Sequence, residues 1–307
     1  MFAWKFSIAR MAAAAAMMML TAGAASATEL WDPHLRGVDE GMSAGALPPG
    51  VYGVLNNYWA AYSQFDQDGH KTGVKLDALV EVPVVLWQTG LKVFGADYAV
   101  AIAQPFDYTS VRALNTAGVS NNGHWGTYNT ILVPGILSWS LKHDLHVSTG
   151  LTVYVDDAST SPANPPKYGG VGSGNGYWTL QPDLGISWLH DGWNVSLSAH
   201  YSYNFENGTT HYKSGQEIAI DYTIAKTIGK WTVGLGAHQI NQITSDTGVG
   251  AAACALKNGC KVNAYGVGPL VSYQFGGVAL TAEYNQNLHT ENDVAGSIFN
   301  LRLVMPF

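Results

Sequence analysis

The sequence has few charged side chains, which account for 12% of its 307 residues. Basic side chains are the scarcer kind, because 15 Lys and Arg residues stand against 22 Asp and Glu residues and the formal net charge at pH 7 is −7. Proteins that bind nucleic acid neutralise its phosphates with Lys and Arg. The sequence therefore predicts no nucleic-acid partner.

Long hydrophobic runs are also missing. After the first residues of the chain, no stretch approaches the ~20 apolar residues of a membrane-spanning helix. At the start, Lys5 and Arg10 precede the run "MAAAAAMMML", and "TAGAASA" follows it. This order is typical of a secretory signal peptide, so residues 1–27 are predicted to be removed on export. Thirteen of the 15 basic residues then remain, and the net charge falls to near −9.

Cysteine is nearly absent, with only Cys254 and Cys260 in the chain. Export to an oxidising compartment favours a disulfide between them that closes a small loop. Two thiols alone make a poor zinc site. His143 and His146 are three residues apart, so on a strand they face opposite sides and cannot share a metal ion. The sequence predicts neither a metal nor a cofactor.

Glycine and aromatic residues are plentiful, with 35 Gly, 16 Tyr and 10 Trp, and apolar residues recur at every second position. In the stretch "YWTLQPDLGISWL" one face carries Trp178, Ile186 and Trp188, and the opposite face carries Gln181 and Asp183. The segments "DLHVSTGLTVYV" and "GWNVSLSAHYSYNF" repeat this alternation. A period of two with one apolar face predicts β-strands that are apolar on one side and polar on the other.

The connections between these strands favour a membrane barrel over a soluble β-sandwich, which shows the same alternation. Links that are long at one end and tight at the other are typical of outer-membrane barrels, and Greek-key links give no such order. We therefore predict an all-β fold, a transmembrane antiparallel β-barrel over residues 51–307 with long extracellular loops and short periplasmic turns. The predicted strands are 51–63, 74–88, 94–105, 126–140, 143–155, 177–190, 192–205, 213–227, 230–243, 261–275, 277–288 and 297–307. The predicted long links are 64–73, 106–125, 156–176, 206–212, 244–260 and 289–296.

Aromatic side chains bracket the apolar faces of two neighbouring strands. Trp178 and Trp188 are ten residues apart, as are Trp193 and Tyr203. With a rise of about 3.3 Å per residue and a tilt of about 40°, this spacing spans roughly 25 Å, the height of a lipid-facing band. These four residues and Phe307 are predicted to form the aromatic girdle.

The polar strand faces are assigned to the lumen, because charges facing lipid are costly. Residues predicted to line the lumen and the solute pathway are Asp144, His146, Asp183, His200, Glu217, Asp221, His238, Glu283 and Arg302. The same rule assigns Lys75, Asp77, Glu81 and Asp97 to the lumen. An alternative is that these side chains fill the barrel with hydrogen-bonded and ionic ladders. Residues 28–50 show no strand alternation and are predicted to form a periplasmic segment or a lumen plug.

Several stretches of the chain resemble the outer-membrane family labelled "MetA-pathway of phenol degradation". They include "GALPPGVYG", "GYWTLQPDLGISWL", "YKSGQEIAIDY" and "FNLRLVMPF", and the resemblance covers most of residues 45–307. Members of this family are transporters often encoded beside genes for aromatic catabolism. The resemblance implies an outer-membrane channel of a Gram-negative bacterium that takes up small hydrophobic or aromatic solutes, surrounded by outer-membrane lipids and lipopolysaccharide.

Two other functions are compatible with a barrel of this size. A lipid hydrolase would use His200 and Ser202, which lie two residues apart on one strand face, but both point into the predicted lumen, away from lipid. A structural or adhesive barrel would have a lumen sealed by side chains. Because neither has a signal as extensive as that for a channel, no enzymatic activity is predicted.

The last strand, "SIFNLRLVMPF", has Phe299, Leu301 and Phe307 on its apolar face and Arg302 on the other. A C-terminal strand ending in Phe resembles the signal read by the barrel-assembly machinery, which is therefore a predicted partner. We expect deletion of Phe307 to lower the amount of protein inserted in the outer membrane while leaving an already folded barrel largely intact. Comparing insertion in cells with refolding in detergent checks this, and equal insertion of the truncated chain would contradict it.

Overall fold

The computed structural model describes residues 31–112, 123–162, 164 and 172–307. The predicted signal peptide, residues 1–27, lies outside them. The described strands are β1 (Gly50–Phe65), β2 (Lys71–Val93), β3 (Ala96–Ala103), β4 (Phe106–Arg112), β5 (Gly123–Thr127), β6 (Ile131–Ser140), β7 (Leu145–Tyr154), β8 (Thr179–His190), β9 (Trp193–Asn204), β10 (Tyr212–Lys213), β11 (Glu217–Ile228), β12 (Trp231–Gln242), β13 (Thr247–Gly248), β14 (Asn263–Phe275), β15 (Val278–Glu291) and β16 (Val294–Pro306). Short 3-10 turns lie at Lys142–Asp144, Ala251–Leu256 and Asn258–Cys260.

The strands form one closed antiparallel barrel. The strands of the ring are β1, β2, β3, β6, β7, β8, β9, β11, β12, β14, β15 and β16, and each pairs with the next one in this order. The ring closes where β16 pairs with β1. Twelve of the described strands make up the ring, and β4 and β5 prolong its wall on one side as a hairpin beside β2. The predicted twelve-stranded barrel is therefore confirmed. No helix in the described part of the chain is long and apolar enough to cross a membrane.

The connections differ from the prediction in four places. The predicted long links 64–73 and 289–296 are short, because β1 and β2 are separated only by residues 66–70, and β15 and β16 only by Asn292 and Asp293. In the predicted link 106–125, residues 106–112 form β4 rather than loop. The tight turn expected at 89–93 lies at Phe94 and Gly95, which both have positive φ, as a two-residue hairpin turn of this kind requires.

The apolar strand faces point outward on most of the barrel, as predicted. Trp178, Trp188 and Trp193 are all exposed, and so is Phe307, whose amide donates to the carbonyl of Val51 at the seam. Tyr203 also lies on the outward face, where its ring contacts that of Phe205. The five aromatic residues predicted for the girdle thus all lie on the outer surface.

Strand β2 is the exception, and its predicted orientation was wrong. Its apolar residues Ala78, Val80 and Val82 face the interior, where Ala78 and Val80 pack against the buried cluster that contains Tyr58. The opposite face, with Lys75, Asp77 and Glu81, points outward together with the exposed Val85 and Trp87. Both faces of this strand carry apolar side chains, so alternation alone does not fix its orientation. Packing against the cluster around Tyr58, to which Leu35 of the N-terminal segment inside the lumen also packs, decides it.

The N-terminal residues 31–45, here called the inserted segment, run inside the barrel. Backbone atoms of this segment bond to inward side chains of several strands: Ala44 N donates to Ser187 Oγ at 2.7 Å, and Gly41 N donates to Thr223 Oγ1 at 2.7 Å. The segment has only turns and bends of its own. Its backbone polar groups are therefore satisfied partly by the wall and partly by turns within the segment, such as the hydrogen bond from Val38 N to the carbonyl of Leu35 at 3.1 Å.

The link between β12 and β14 folds back over one end of the barrel. Cys254 and Cys260 form a disulfide and, with Val262, pack against the inward side chains Ala219 and Ile240. Beneath them Asp246 accepts hydrogen bonds from Gly215 N and Gln242 Nε2, both at 2.7 Å, and from Tyr212 Oη. This link is thus anchored both by apolar packing and by one buried carboxyl group.

Burial raises the pKa of Asp246 to about 7 from 3.8. Because the folded link holds the proton more tightly than the unfolded link, the contribution of Asp246 to stability is greatest below about pH 4 and is lost as the pH rises to about 7. We expect amide hydrogen exchange over residues 243–262, corrected for its intrinsic pH dependence, to speed up between pH 5 and pH 8. Asp246→Asn should remove most of this dependence, and an unchanged profile in that variant would contradict the assignment.

Candidate functional site

The central carboxylate of the lumen belongs to Asp221 on β11. Asp221 accepts hydrogen bonds from the backbone amides of Gly37 (3.1 Å) and Asp39 (3.0 Å), and its Oδ2 lies 3.1 Å from Nε2 of His34. All three partners belong to the inserted segment, whereas Asp221 faces inward by the alternation of β11. One wall residue therefore fixes a turn of the segment that spans His34 to Asp39.

A second anchor lies opposite, on β15 and β16. Arg302 donates to the carbonyl oxygens of Val38 (2.8 Å) and Glu40 (2.6 Å) and forms an ion pair with Glu283 at 2.8 Å. Asn285 donates to the Glu40 carboxylate at 2.8 Å. Arg302 and Glu283 are almost fully buried, so each compensates the charge of the other while the guanidinium holds the segment backbone.

A third anchor uses an arginine of the inserted segment itself. Arg36 pairs with Asp32 in the segment and with Asp293 in the link before β16, and it donates to the carbonyl of Val294 at 2.8 Å. The Tyr58 hydroxyl of β1 reaches the Arg36 carbonyl at 3.3 Å. The segment is therefore tied by charged groups to β11, to β15 and β16, and to the link between β15 and β16.

His200 and Asp183 connect the segment to β8 and β9. Nδ1 of His200 lies 2.7 Å from Asp183 Oδ1, and its Nε2 lies 3.1 Å from Asp39 Oδ2. The ring of His34 stacks on that of His200 with centroids 3.8 Å apart. Asp183 also accepts from Thr152 Oγ1 at 2.6 Å and from Gln181 Nε2 at 2.9 Å. The wall thus presents a polar network at this point of the lumen.

Of the other predicted lumen residues, some are buried inside the barrel and others lie near the tight turns. His238 is buried on β12 with Nδ1 3.5 Å from Glu40 Oε1, and Glu217 is buried near the end of β11. His146 bonds Ser140 near the tight-turn end. Asp144 was wrongly assigned to the lumen, because it lies in the exposed turn before β7 and pairs with His190 at 2.8 Å. Asp97 also lies next to a tight turn, where it pairs with Lys92.

An internal cavity of about 350 Å³ lies between the inserted segment and one sector of the wall. The wall side is mainly apolar over four strands, β1, β2, β3 and β6, although β1 also contributes Asn56, Tyr58 and Tyr62. The segment side contributes Trp31, Leu35 and Met42 beside the charged Asp32 and Arg36. At the opposite rim the cavity meets the polar residues His34, Asp39 and His200. The apolar wall residues are Val54, Ala78, Val80, Val82, Val84, Leu86, Ala101, Ala103, Ile131, Val133 and Ile136.

Sequence reasoning missed the contributions of the inserted segment. His34, Arg36 and Asp39 take part in many of the polar contacts of the lumen, yet the segment has neither strand alternation nor a recognised motif. The available signal was the density of charged residues in "WDPHLRGVDEG", which is high for a chain with 12% charged residues. Such a density next to a strand predicted to open a polar lumen points to charged partners in that lumen.

Residues 61–303 match the family described as "Putative MetA-pathway of phenol degradation". The chain belongs to this family. The resemblance inferred from the quoted stretches is thereby confirmed, and the match spans the barrel from β1 to β16. No curated protein is similar enough to the chain to count as a relative.

Solved structures share the barrel. The COG4313 outer membrane channel from Pseudomonas putida F1 is similar over 90% of this chain and 100% of that chain, with a TM-score of 0.69 and 15% sequence identity. The translocator domain of the autotransporter NalP from Neisseria meningitidis is similar over 86% of this chain and 91% of that chain, with a TM-score of 0.50 and 9% identity. At these identities the likeness establishes the fold alone.

The anchoring role of Asp221 can be tested with a reporter in the inserted segment. Asp221→Ala leaves two buried amides without an acceptor, a cost of about 1–3 kcal/mol for each. In a chain carrying Ala44→Cys, at a position that is buried in the wild type, we expect this change to speed maleimide labelling of the new thiol at least tenfold. Asp144→Asn, in an exposed turn, is the matched control. Equal labelling rates in the two variants would show that Asp221 does not hold the segment.

Proposed function

We propose that the protein is an outer-membrane channel for the uptake of small hydrophobic or aromatic compounds. The observation that carries this proposal is the apolar sector of the lumen wall, since a path for water-soluble ions has no need of one. A polar lumen is the ordinary arrangement in outer-membrane barrels. Here four adjacent strands present aliphatic side chains to an internal cavity, and aliphatic surface favours apolar solutes over water.

The size of the cavity supports solutes of one or two aromatic rings. A cavity of about 150 Å³ lined by aliphatic side chains suffices for benzene, and this one is about 350 Å³. Its polar rim, with His200, Asp183 and Gln181, offers donors and acceptors for a hydroxyl or amide group of a bound solute. The similar Pseudomonas putida protein is an outer membrane channel, and the family is described by phenol degradation, which both agree with this function.

The inserted segment is the proposed gate of the channel. It occupies the lumen with polar contacts to β8, β9, β11, β15 and β16, while the apolar sector formed by β1, β2, β3 and β6 is left to the cavity. Displacement of the segment would widen the path along that sector. His200, Asp221, His238 and Arg302 then have two roles, holding the segment and lining the route beside it. Asp183, Glu217 and Glu283 would line the route with them.

The alternative of lipid hydrolysis gains no support from the geometry of its two residues. Ser202 is buried in the lumen wall and donates to Gln181 Oε1 at 3.1 Å, and both ring nitrogens of His200 face carboxylates. A lipid ester in the surrounding membrane cannot reach a nucleophile on this face. A sealed structural barrel is less favoured because of the internal cavity.

The same proposal places the barrel in the outer membrane of a Gram-negative bacterium. The outward tryptophans and Phe307 would lie at the boundary of lipid and lipopolysaccharide, and the last strand would serve as the site read by the assembly machinery. Residues 1–27 would direct export.

The apolar sector can be made polar without a change of volume by the triple substitution Val80→Thr, Val82→Thr and Val84→Thr. Each hydroxyl costs about 0.5–2 kcal/mol where an apolar solute must displace water from it, so we expect uptake of phenol or toluene into liposomes to fall about fivefold or more. Uptake of a small sugar, which needs no apolar wall, should not fall.

A matched control places the same chemical change on the outer face, with Val195→Thr, Val233→Thr and Val267→Thr, all of which are exposed valines in strands. This control should keep wild-type uptake of the aromatic solute once equal insertion is verified. Absence of uptake by the wild-type protein, or equal uptake by the two triple variants, would refute the proposed function.

A further inference from the structure

Two histidines and an aspartate meet where the inserted segment touches β9. Ligand atoms of His34, Asp39 and His200 lie within 4.8 Å of one another. His34 and Asp39 come from the segment, and His200 comes from the wall. The two imidazole rings are stacked at 3.8 Å between centroids with an angle of 18° between their planes, so the ring nitrogens of the two residues lie close to one another.

The outer nitrogen of each ring is already held by a carboxylate. His34 Nε2 lies 3.1 Å from Asp221 Oδ2, and His200 Nδ1 lies 2.7 Å from Asp183 Oδ1. These contacts leave Nδ1 of His34 and Nε2 of His200 for another partner. Histidines that bind metal ions in proteins characteristically use one ring nitrogen for the metal and give the other to a carboxylate or carbonyl.

Nε2 of His200 is buried and has no aligned hydrogen-bond partner. It lies 3.1 Å from Asp39 Oδ2, a distance of contact without the direction of a hydrogen bond. His200 itself is only 7% exposed, so bulk water has little access to hydrogen-bond its Nε2 atom. Buried polar atoms in folded proteins are nearly always paired. An unpaired ring nitrogen that faces a carboxylate and a second imidazole therefore points to a ligand.

We propose that His34, Asp39 and His200 bind a divalent transition-metal cation of the zinc type, which joins the inserted segment to the barrel wall. Two imidazole nitrogens and one carboxylate oxygen, with one position left open, are a common donor set for zinc and are equally suited to cobalt or nickel. Asp183 and Asp221 orient the two rings from behind. The three carboxylates around this point supply the negative charge that a dication requires.

The other two groupings of possible ligands within the described residues do not have these properties. Asp66, Asp68 and His70 lie in a surface link, and the side chain of His70 is mostly exposed. Asp246 lies beside Cys254 and Cys260, but both sulfurs are consumed by the disulfide. Among these three groupings, the one in the lumen alone combines burial, preoriented rings and an unpaired ligand nitrogen.

A cation at this position would cross-link the segment to the wall. Two ligands move with the segment and one stays with β9, so the segment could leave the lumen only after the ion lost part of its coordination. The effect on solute passage rests on the proposed channel function, whereas the binding of the ion does not.

Binding can be measured with Co²⁺ as a spectroscopic probe, using the full-length, untagged protein in detergent after treatment with a chelator. We expect one equivalent of Co²⁺ to give visible absorption bands of a low-coordinate nitrogen and oxygen site, and one equivalent of Zn²⁺ to abolish them. His34→Gln and Asp39→Asn, both in the segment and outside the barrel strands, should each weaken binding about 100-fold. His200→Gln should do the same from the wall side.

His70→Gln is the control and should bind Co²⁺ like the wild type. The proposal is overturned if the wild-type protein binds no stoichiometric Co²⁺, if His34→Gln and His200→Gln bind it normally, or if His70→Gln abolishes binding. Barrel folding of each variant is verified by heat-modifiable migration in gels. Because these measurements involve no solute, a barrel that binds cobalt yet transports nothing would refute the channel function and leave the metal site standing.

Discussion

The carboxylate of Asp221 is the interaction on which the arrangement of the lumen depends. It lies inside a barrel wall, away from bulk water, where an ionised group needs several donors to be tolerated. Two backbone amides and one imidazole of residues 34–39 provide them. The need of this carboxylate for hydrogen-bond donors therefore fixes the path of residues 34–39 through the lumen. This path places Val38 and Glu40 next to Arg302 and places Asp39 next to His200.

This dependence divides the interior into two unlike halves. Strands β8 to β16 supply the donors and acceptors that hold the segment, whereas β1, β2, β3 and β6 supply aliphatic side chains. The segment adds Leu35 and Met42 to the cavity lining, so the open space is bordered mainly by apolar atoms and meets the polar half at Gln181, Asp183, His200 and Asp293. The polar residues of the wall consequently act first as structural partners of the chain's own N-terminal residues.

The barrel could be predicted from the sequence because the outward-facing residues of its strands are apolar. In strands such as β8 and β9, every second residue is apolar over ten positions, and a closed ring of hairpins follows from the order of the links. The orientation of β2 could not be predicted in this way, since Leu79 and Val85 on one face are as apolar as Val80 and Val82 on the other. Packing of Ala78 and Val80 against the cluster of Tyr58, Ala60 and Ile298, which are distant in sequence, decides between the two orientations.

Of the candidate site, only the residues on the barrel wall could be predicted from the sequence, because only they lie on regular strands. Asp183, His200, Asp221 and Arg302 stand out as polar residues on regular strands. Their partners lie in residues 31–45, which have no repeating structure and take their conformation from the wall. A pattern of spacing reports regular structure, and it cannot report which irregular segment will satisfy a buried charge.

The seam between the first and last strands has a consequence for the order of assembly. The inserted segment lies shortly before β1, yet it is held by Arg302 and by the carbonyl of Val294, both on β16, the strand that closes the ring against β1. These contacts cannot form until β16 is in place beside β1. Ring closure and the seating of the segment in the lumen are therefore coupled steps of assembly.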